Sequence, residues 1–192
     1  MPTSTLQEDA CISPSRLGGK QKREAPASLF LANNNLTTDK QGVYYIMIEI
    51  YTDGGNSSKK KAGGCSAVIC KGPEILKELS QGYDSNPTNN MMELGGVILG
   101  LTYMLDHPEL GQDVTIISDS EYIVNGASKW LDNWKKKDWK GMSGPVKNKP
   151  LWEAVDYLKT RLNITWKWVK GHSSNARNNL ADELAVKAYK DL

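Results

Sequence analysis

The sequence predicts an α/β domain in which a five-stranded mixed sheet is flanked by helices. Three strand-like segments follow one another with only turns between them, which indicates an antiparallel meander of adjacent strands. Two later strand-like segments are separated from their neighbours by helical sequence, a pattern typical of parallel strands joined by crossover helices. We therefore expect three layers, with three antiparallel strands and two parallel strands in the central sheet.

The strands are recognised by β-branched and aromatic residues and by the turns that bound them. An Asp-Gly-Gly turn at residues 53–55 ends the first strand, and a Lys-Gly-Pro turn at residues 71–73 separates the second from the third. The strands are expected over residues 43–51, 62–70, 75–83, 114–118 and 164–169.

The helices are recognised by the spacing of their apolar residues. They are expected over residues 89–105, 120–124, 127–134, 151–162 and 179–189. The first contains the adjacent glycines Gly95 and Gly96 near its middle. Because a glycine inside a helix costs roughly 1 kcal/mol relative to alanine, we expect this helix to pack closely against the sheet.

The first 42 residues differ from the rest of the chain. They contain the only phenylalanine, Phe30, and no tryptophan or tyrosine. So few large apolar groups cannot offset the entropy cost of ordering the segment. We expect residues 1–42 to be a disordered N-terminal tail and residues 43–192 to be the domain.

The composition argues against membrane and secreted proteins. No apolar run in the 192 residues approaches the 18 or so that a membrane span needs, and the N-terminus lacks a secretory signal pattern. Three cysteines and two histidines favour neither a disulfide framework nor a structural zinc site, and Cys65 and Cys70 are expected on opposite faces of one strand. We expect an intracellular, reducing location, cytoplasmic first, with the nucleus and mitochondrion left open.

Four acidic residues stand at the ends of predicted elements. Asp53 and Asp119 follow two strands of the sheet, and ligands of open α/β sheets bind at the carboxyl ends of strands. Glu93 lies in the first turns of the long helix, and Asp182 lies near the start of the last helix. Taken singly, each is explained as a turn residue, a helix cap or a partner of the helix dipole. A functional cluster requires that the fold bring them together.

A cluster of this kind has a definite chemistry. Carboxylates held close together in a low dielectric repel one another unless cations bind. An oxygen-only ligand set without cysteine or several histidines favours Mg²⁺, with Mn²⁺ as the alternative. Two such ions roughly 3.5–4 Å apart activate water and stabilise the leaving oxygen of a phosphodiester.

Five blocks of sequence, in order, resemble the type 1 ribonuclease H family: YTDGG at residues 51–55, TNNMMEL at 88–94, SDSEY at 118–122, WVKGH at 168–172 and DELA at 182–185. The resemblance covers about residues 44–190. It implies the ribonuclease H fold and endonucleolytic hydrolysis of the RNA strand of RNA–DNA hybrids, leaving 5′-phosphate and 3′-hydroxyl ends. At the matching positions it implies the metal ligands Asp53, Glu93, Asp119 and Asp182.

His172 lies in a loop rich in turn residues, between the last strand and the last helix. A mobile imidazole suits proton transfer to the leaving group and product release, and the resemblance implies that catalytic role here. A hydrolase triad of Ser173, His172 and Asp182 is the weaker alternative, because adjacent loop side chains rarely meet as nucleophile and base. The sequence also lacks a nucleophile-elbow motif.

Residues 129–149 form a basic segment. It carries seven lysines against two aspartates, a charge of +5, whereas the whole chain carries only +2. Lysines beside aromatic residues recur in nucleic-acid grooves, although a solvated turn above a tryptophan core is the plain alternative. The resemblance implies a basic protrusion that grips the DNA strand, with Trp130 expected in the core. The expected substrate contacts in the segment are Trp134, Lys135, Lys136, Lys137, Trp139 and Lys140.

The resemblance also implies contacts outside the basic segment. Asn90 and Glu121 match positions near the RNA strand, where the 2′-hydroxyl is sensed, and Thr88 and Asn89 match contacts to DNA phosphates.

One position departs from the family pattern. Family members often carry asparagine six residues after the first catalytic aspartate, and here that position is Lys59. Asn56, three residues earlier, is the alternative side chain for the same contact. We therefore expect the discrimination between the RNA strand and the DNA strand of the substrate to be altered.

Two rival functions remain to be weighed. One is an exonuclease or integrase on the same fold, but exonucleases need Asp-x-Glu on the first strand, and Gly54 and Gly55 follow Asp53 here. The other is a non-catalytic hybrid-binding protein, which would normally have lost a carboxylate. We expect an enzyme that acts as a monomer with two Mg²⁺ ions on an RNA–DNA hybrid.

Overall fold

The computed structural model describes residues 36–38 and 44–192. It begins with a short hairpin in which β1 (Leu36–Thr38) pairs antiparallel with β2 (Tyr44–Ile46). This hairpin starts before the boundary that we expected between residues 42 and 43. Residues 1–35 and 39–43 lie outside the described residues, so the disordered tail stays a prediction.

The remaining elements follow in chain order. The strands are β3 (Ile48–Ser57), β4 (Ala62–Lys71), β5 (Glu74–Tyr83), β6 (Asp113–Ser118), β7 (Lys140–Gly141), β8 (Gly144–Pro145) and β9 (Asn163–Trp168). The helices are α1 (Asn89–Asp106), α2 (Glu121–Asn125), α3 (Leu131–Lys136), α4 (Lys149–Lys159) and α5 (Ala176–Lys190). A 3₁₀ turn at Pro108–Leu110 and a π-helical turn at Gly126–Trp130 complete them.

Five strands form one mixed sheet in the order β5-β4-β3-β6-β9. β4 pairs antiparallel with β3 and β5, whereas β6 pairs parallel with β3 and β9. The expected combination of antiparallel and parallel strands is confirmed. Because the parallel register aligns Tyr51 with Ile117, Asp53 and Asp119, each two residues further along, lie side by side at the carboxyl end of β6.

Helices cover both faces of the sheet. α1 and α4 cover one face, over a core that includes Ile50 and Trp152. α5 covers the other face, where Ala181 packs with Cys70. Cys65 lies against α1, which confirms that the two cysteines of β4 face opposite sides. Among the described helices, none combines the length and the apolar character that crossing a bilayer requires.

The glycines of α1 allow its backbone to touch the sheet. A Cβ atom on Gly96 would lie 2.6 Å from the carbonyl oxygen of Ser66 and 2.8 Å from that of Asp53. On the strand side, a Cβ atom on Gly54 would lie 2.1 Å from the carbonyl carbon of Met92. The close packing expected from the adjacent glycines is confirmed, and it joins the end of β3 to the start of α1.

The helices after β6 differ from the expectation. The helix expected over residues 127–134 is divided into the π-helical turn and α3. Gly126 opens that turn with its backbone against the Trp152 ring, where a Cβ atom would lie 2.2 Å from an indole carbon. α5 starts at Ala176 rather than at residue 179, because the Asn175 side chain caps it by accepting hydrogen bonds from two backbone amides of the first turn.

We predict that Gly96→Ala lowers the free energy of unfolding by about 2–4 kcal/mol, because the new methyl group meets backbone atoms that cannot rotate away. Urea unfolding measures the change. Gly95→Ala is the matched control, since a Cβ atom there meets first the Cys65 sulfur, at 3.1 Å, and should cost less than about 1 kcal/mol. Equal stability of the two variants would contradict the assigned contact.

Candidate metal centre and substrate surface

Three of the predicted carboxylates meet in one crevice. Asp53, Glu93 and Asp119 each place a carboxylate oxygen within 4.8 Å of the others. Asp53 and Glu93 are buried, with 8% and 6% of their surface exposed, and Asp119 is half-buried. The crevice is therefore poorly solvated and strongly acidic.

The fold brings these three side chains together through its backbone. Asp53 and Asp119 come from neighbouring parallel strands, and Glu93 comes from the first turns of α1. The start of α1 is fixed by Thr88, whose hydroxyl accepts a hydrogen bond of 3.3 Å from the Met91 amide. The close approach between Gly54 and Met92 then sets the separation of strand and helix. The three carboxylates thus occupy positions that main-chain contacts define.

Asp182 joins the crevice from α5. The preceding residue, Ala181, accepts a hydrogen bond of 2.6 Å from the buried hydroxyl of Ser66 on β4. The negative charge of Asp182 contributes to raising the pKa of both Asp53 and Glu93. Asp182 is, however, not one of the three residues whose carboxylate oxygens lie within 4.8 Å of one another.

The crevice disfavours negative charge. Burial, followed by the charges of Asp119 and Asp182, raises the pKa of Asp53 to about 7. Burial, followed by the charges of Asp53 and Asp119, raises the pKa of Glu93 to about 9. Without a cation, both carboxyls therefore take up protons at a higher pH than ordinary carboxyls do, whose pKa values lie near 4.

The residues present fit a hard divalent cation. Oε2 of Glu93 is buried without a hydrogen-bond partner among the described residues. The side-chain amide of Asn89 donates to the other oxygen, Oε1, at 3.4 Å. An unpartnered buried carboxylate oxygen beside two further carboxylates is a donor set that Mg²⁺ or Mn²⁺ satisfies.

Asn178 is a residue of the site that the sequence reasoning missed. It is 1% exposed, and its Nδ2 donates to Oδ2 of Asp119 at 3.1 Å. The signal was its position four residues before Asp182, which puts both on one face of α5. The indole Nε1 of Trp168 also donates, at 2.9 Å, to the backbone carbonyl of Asp119. Asp119 is therefore held through both its side chain and its main chain.

His172 lies at the rim of the crevice. Its side chain is 87% exposed, and its Nδ1 is 3.8 Å from Oδ2 of Asp182. Its φ of 47° is left-handed, which ends the extended backbone after β9 and turns the chain towards α5. The neighbouring Gly171 lies against Asp119, since a Cβ atom there would be 2.5 Å from Oδ2 of that residue. The exposed imidazole therefore stands beside the acidic crevice, next to Asp182.

The residues that we expected to contact the hybrid lie beside the crevice. Thr88, Asn89 and Asn90 are exposed at the start of α1, one turn from Glu93. Glu121 is the exposed first residue of α2, next to the Asp119 end of β6.

Lys59, the departure from the family pattern, is exposed in the turn after β3. The side-chain amide of Asn56, the alternative for the same contact, donates to the carbonyl of Pro87 at 2.9 Å. That bond ties the end of β3 to the segment before α1.

The basic segment contains a hairpin, β7–β8, that was not expected from the sequence. Its tryptophans are also arranged differently from the expectation. The prediction that Trp130 lies in the core was wrong, because its side chain is 39% exposed, whereas Trp134 and Trp139 pack partly against the core. The reason is that Trp152 fills the core and Trp134 packs edge-on against it, with ring centroids 5.4 Å apart.

A groove of about 560 Å³ opens between the π-helical turn and the β7–β8 hairpin, lined by Trp130 and Trp134 among others. Lys147 lines this groove, and Lys137 and Lys140 line a second groove of about 320 Å³ that shares Trp130 and Trp134 with it. Lys136 is exposed as well. Lys135 instead forms an ion pair with Asp156, with Nζ 2.7 Å from Oδ2. Of the four lysines expected to contact the substrate, three have no ion pair among the described residues, and Lys135 is held by α4.

Comparisons with known proteins agree with this geometry. A family model described as RNase H matches residues 46–190. Ribonuclease HI of Haemophilus influenzae is 48% identical over 141 residues, which cover 73% of this chain and 88% of that protein.

Solved structures are similar as well. The crystal structure of LC9-RNase H1, a type 1 RNase H with the type 2 active-site motif, is 27% identical with a TM-score of 0.66, covering 78% of this chain and 74% of that one. The solution structure of the PFV RNase H domain is also 27% identical, with a TM-score of 0.64, and covers 77% of this chain and 96% of that one.

We predict that the metal-free protein loses stability as the pH rises from about 4 to about 9. The folded-state pKa values of Asp53 and Glu93 lie above their unfolded values, so the folded state binds more protons in this window and the free energy of unfolding falls. Glu93→Gln should raise that free energy by roughly 1–3 kcal/mol at pH 8 and leave it nearly unchanged at pH 4. Urea unfolding with EDTA at both pH values measures it.

Glu109→Gln, at an exposed position after α1, is the control and should change neither value. An unsubstituted protein whose metal-free stability rises between pH 5 and pH 8 would contradict the raised pKa values.

Proposed function

This chain belongs to the type 1 ribonuclease H family, and from that premise we propose that Asp53, Glu93, Asp119 and Asp182 are the metal ligands of its active site. The enzyme hydrolyses the RNA strand of RNA–DNA hybrids. The observation that carries the site assignment is the meeting of three carboxylates within 4.8 Å, one of them with a buried, unpartnered oxygen. Two Mg²⁺ ions are the proposed occupants, with Mn²⁺ as a substitute.

When bound, the cations supply an activated water and stabilise charge on the leaving oxygen. The chain's own residues orient the site. Asn178 and Trp168 fix the side chain and the carbonyl of Asp119, so this ligand needs little reorganisation when the substrate arrives. Glu93 accepts from Asn89, which lies among the residues proposed to contact the hybrid, and so links substrate binding to the metal site.

His172 is proposed as the group that gives a proton to the leaving 3′-oxygen of the RNA. Its exposed ring and its place beside Asp182 support this role, since it can move between the substrate and the rim of the crevice. The products are a 5′-phosphate and a 3′-hydroxyl, with no covalent enzyme intermediate.

The hybrid is proposed to lie across the crevice with its two strands on different surfaces. Asn90 and Glu121 face the RNA strand, together with Lys59 or with Asn56, whose side-chain nitrogen also donates to the carbonyl of Pro87. The DNA strand is contacted at the start of α1 and along the basic segment, through Thr88, Asn89, Trp134, Lys135, Lys136, Lys137, Trp139 and Lys140. The exposed ring of Trp130 adds a stacking surface to the same groove.

The chain is proposed to act as a monomer, because one chain supplies all four carboxylates. Cys65 and Cys70 are buried free thiols, which supports a reducing, intracellular setting, the cytoplasm first.

Asp119→Asn should keep the fold and reduce cleavage of a labelled hybrid to below roughly 1% of the unsubstituted rate, because the amide removes one ligand charge from the metal site. Asp106→Asn, at the exposed end of α1, is the matched control and should cleave normally. Unchanged turnover by Asp119→Asn would refute the site assignment and favour a carboxylate set elsewhere.

The substrate class is tested in the same assay. Hybrid should be cleaved with Mg²⁺ and not with EDTA, while double-stranded and single-stranded RNA of the same sequence should remain intact. Binding of the hybrid without cleavage under any metal condition would favour the non-catalytic alternative.

Replacing Lys136 and Lys137 together by alanine should raise KM for the hybrid with little change in kcat. The slope of log K against log salt concentration should become shallower by an amount equivalent to about two phosphate contacts. Salt titration of hybrid binding and steady-state kinetics measure both effects. Lys77→Ala, on the exposed edge strand β5, should change neither quantity. An unchanged salt slope in the double variant would remove these lysines from the DNA surface.

A further inference from the structure

Arg177, in the first turn of α5, bridges the helix to the sheet. Its Nη1 lies 3.2 Å from Oε2 of Glu49 on β3, and its Nη2 donates to the carbonyl of Gly72 at 2.5 Å. The hydroxyl of Tyr51 donates to the same oxygen of Glu49 at 3.1 Å. One guanidinium thus ties α5 both to β3 and to the turn between β4 and β5.

The bridge is shielded from solvent. The side chain of Glu49 is 9% exposed and that of Arg177 is 23% exposed. Burial and the charge of Glu49 raise the pKa of Tyr51, which keeps its hydroxyl protonated as the donor. A charged pair that is buried, forked and supported by a third group is far more rigid than an exposed ion pair.

This bridge and the carboxylate crevice lie on one interface. Glu49, Tyr51 and Asp53 alternate along β3, so their side chains lie on the face that α5 covers. On the helix, Arg177 precedes Asn178 directly and stands little more than one turn before Asp182. The attractive pair therefore sits at the start of the β3–α5 contact, and Asp53 and Asp182 lie further along it.

The bridge acts at the place where α5 begins. Glu49 and Arg177 attract each other across the β3–α5 contact, less than two turns before Asp182. Holding Arg177 therefore holds the part of α5 that carries Asn178 and Asp182.

We propose that Arg177 is a positioning residue for the metal site. By fixing the first turn of α5 it sets the place of Asn178 and Asp182, so that the site is formed before a cation arrives. This inference rests on the proposed function, since it assumes that the four carboxylates bind divalent cations.

The sign of the effect separates positioning from simple electrostatics. Removing the positive charge of Arg177 makes the surroundings of the site more negative, which by itself strengthens the binding of Mg²⁺. Loss of positioning weakens it, because part of the binding energy must then order α5. If replacing Arg177 by a neutral residue weakens Mg²⁺ binding, the weakening can therefore not come from the lost positive charge itself.

The test is calorimetric titration of the full chain with Mg²⁺ alone, without nucleic acid. Arg177→Met should bind Mg²⁺ about 3- to 10-fold more weakly than the unsubstituted protein. Arg161→Met is the matched control, because Arg161 stacks on the exposed Tyr157 ring of α4. Unchanged or tighter binding by Arg177→Met would overturn the inference.

A second variant removes the effect of the unpaired charge that Arg177→Met leaves on Glu49. In Glu49→Gln/Arg177→Met neither charge is buried alone, so this protein should fold even where the single variant does not. Its Mg²⁺ affinity should remain about 3- to 10-fold low, because the bridge is still missing. Recovery of the unsubstituted affinity would show that the bridge positions nothing and would overturn the inference.

Hybrid cleavage supplies an independent readout. At low Mg²⁺ concentration, kcat of Arg177→Met should be lower than that of the unsubstituted protein, and at high Mg²⁺ concentration it should recover. KM for the hybrid should stay constant. A general loss of structure would not be rescued by the cation. If the unsubstituted protein itself binds no Mg²⁺, the proposed metal site fails and this inference fails with it. If it binds Mg²⁺ and Arg177→Met binds equally, only the inference fails.

Discussion

The repulsion between carboxylates in a poorly solvated crevice is the constraint on which the rest of this structure depends. Each of the four acids comes from a different element, so the sheet and both covering layers must hold their positions against it. The parallel register of β3 and β6, the glycine contacts of α1 and the attachment of α5 to the sheet all oppose the same force. A bound cation removes that force, so the folded state and the metal-loaded state favour one arrangement.

The fold and the carboxylates were predictable because both follow from local patterns. Strand segments, turns and helix periodicity can be recognised from short segments of sequence, and the connections between the elements allow only a few topologies for the fold. Asp119 follows β6, as expected, but Asp53 lies within β3, because the strand continues through the turn expected at residues 53–55 and stays paired with β4 as far as Ser57. The parallel pairing of β3 and β6 places the two acids side by side. The meeting of Glu93 with them needed only the helix that the sequence already indicated.

The remaining features depend on contacts between distant segments. The exposure of Trp130 and the π-helical turn both result from the position of Trp152, which comes from a helix more than twenty residues later. Asn178 and Asn179 stand four and three residues before Asp182, so helical spacing places both near its face, and only the docking of α5 turns Asn178 towards Asp119. The Arg177–Glu49 bridge joins residues 128 positions apart. No short pattern encodes such pairs.

The contact between Gly96 and the carbonyl of Asp53 has a consequence for how this enzyme can vary. The main chain, rather than the fit of neighbouring side chains, sets the distance between Asp53, the first proposed metal ligand, and the long helix. Apolar residues elsewhere in the core can therefore change in size and shape while the ligand geometry stays the same. Sequences of this fold can diverge widely in their interiors, provided that the few positions without a side chain are kept.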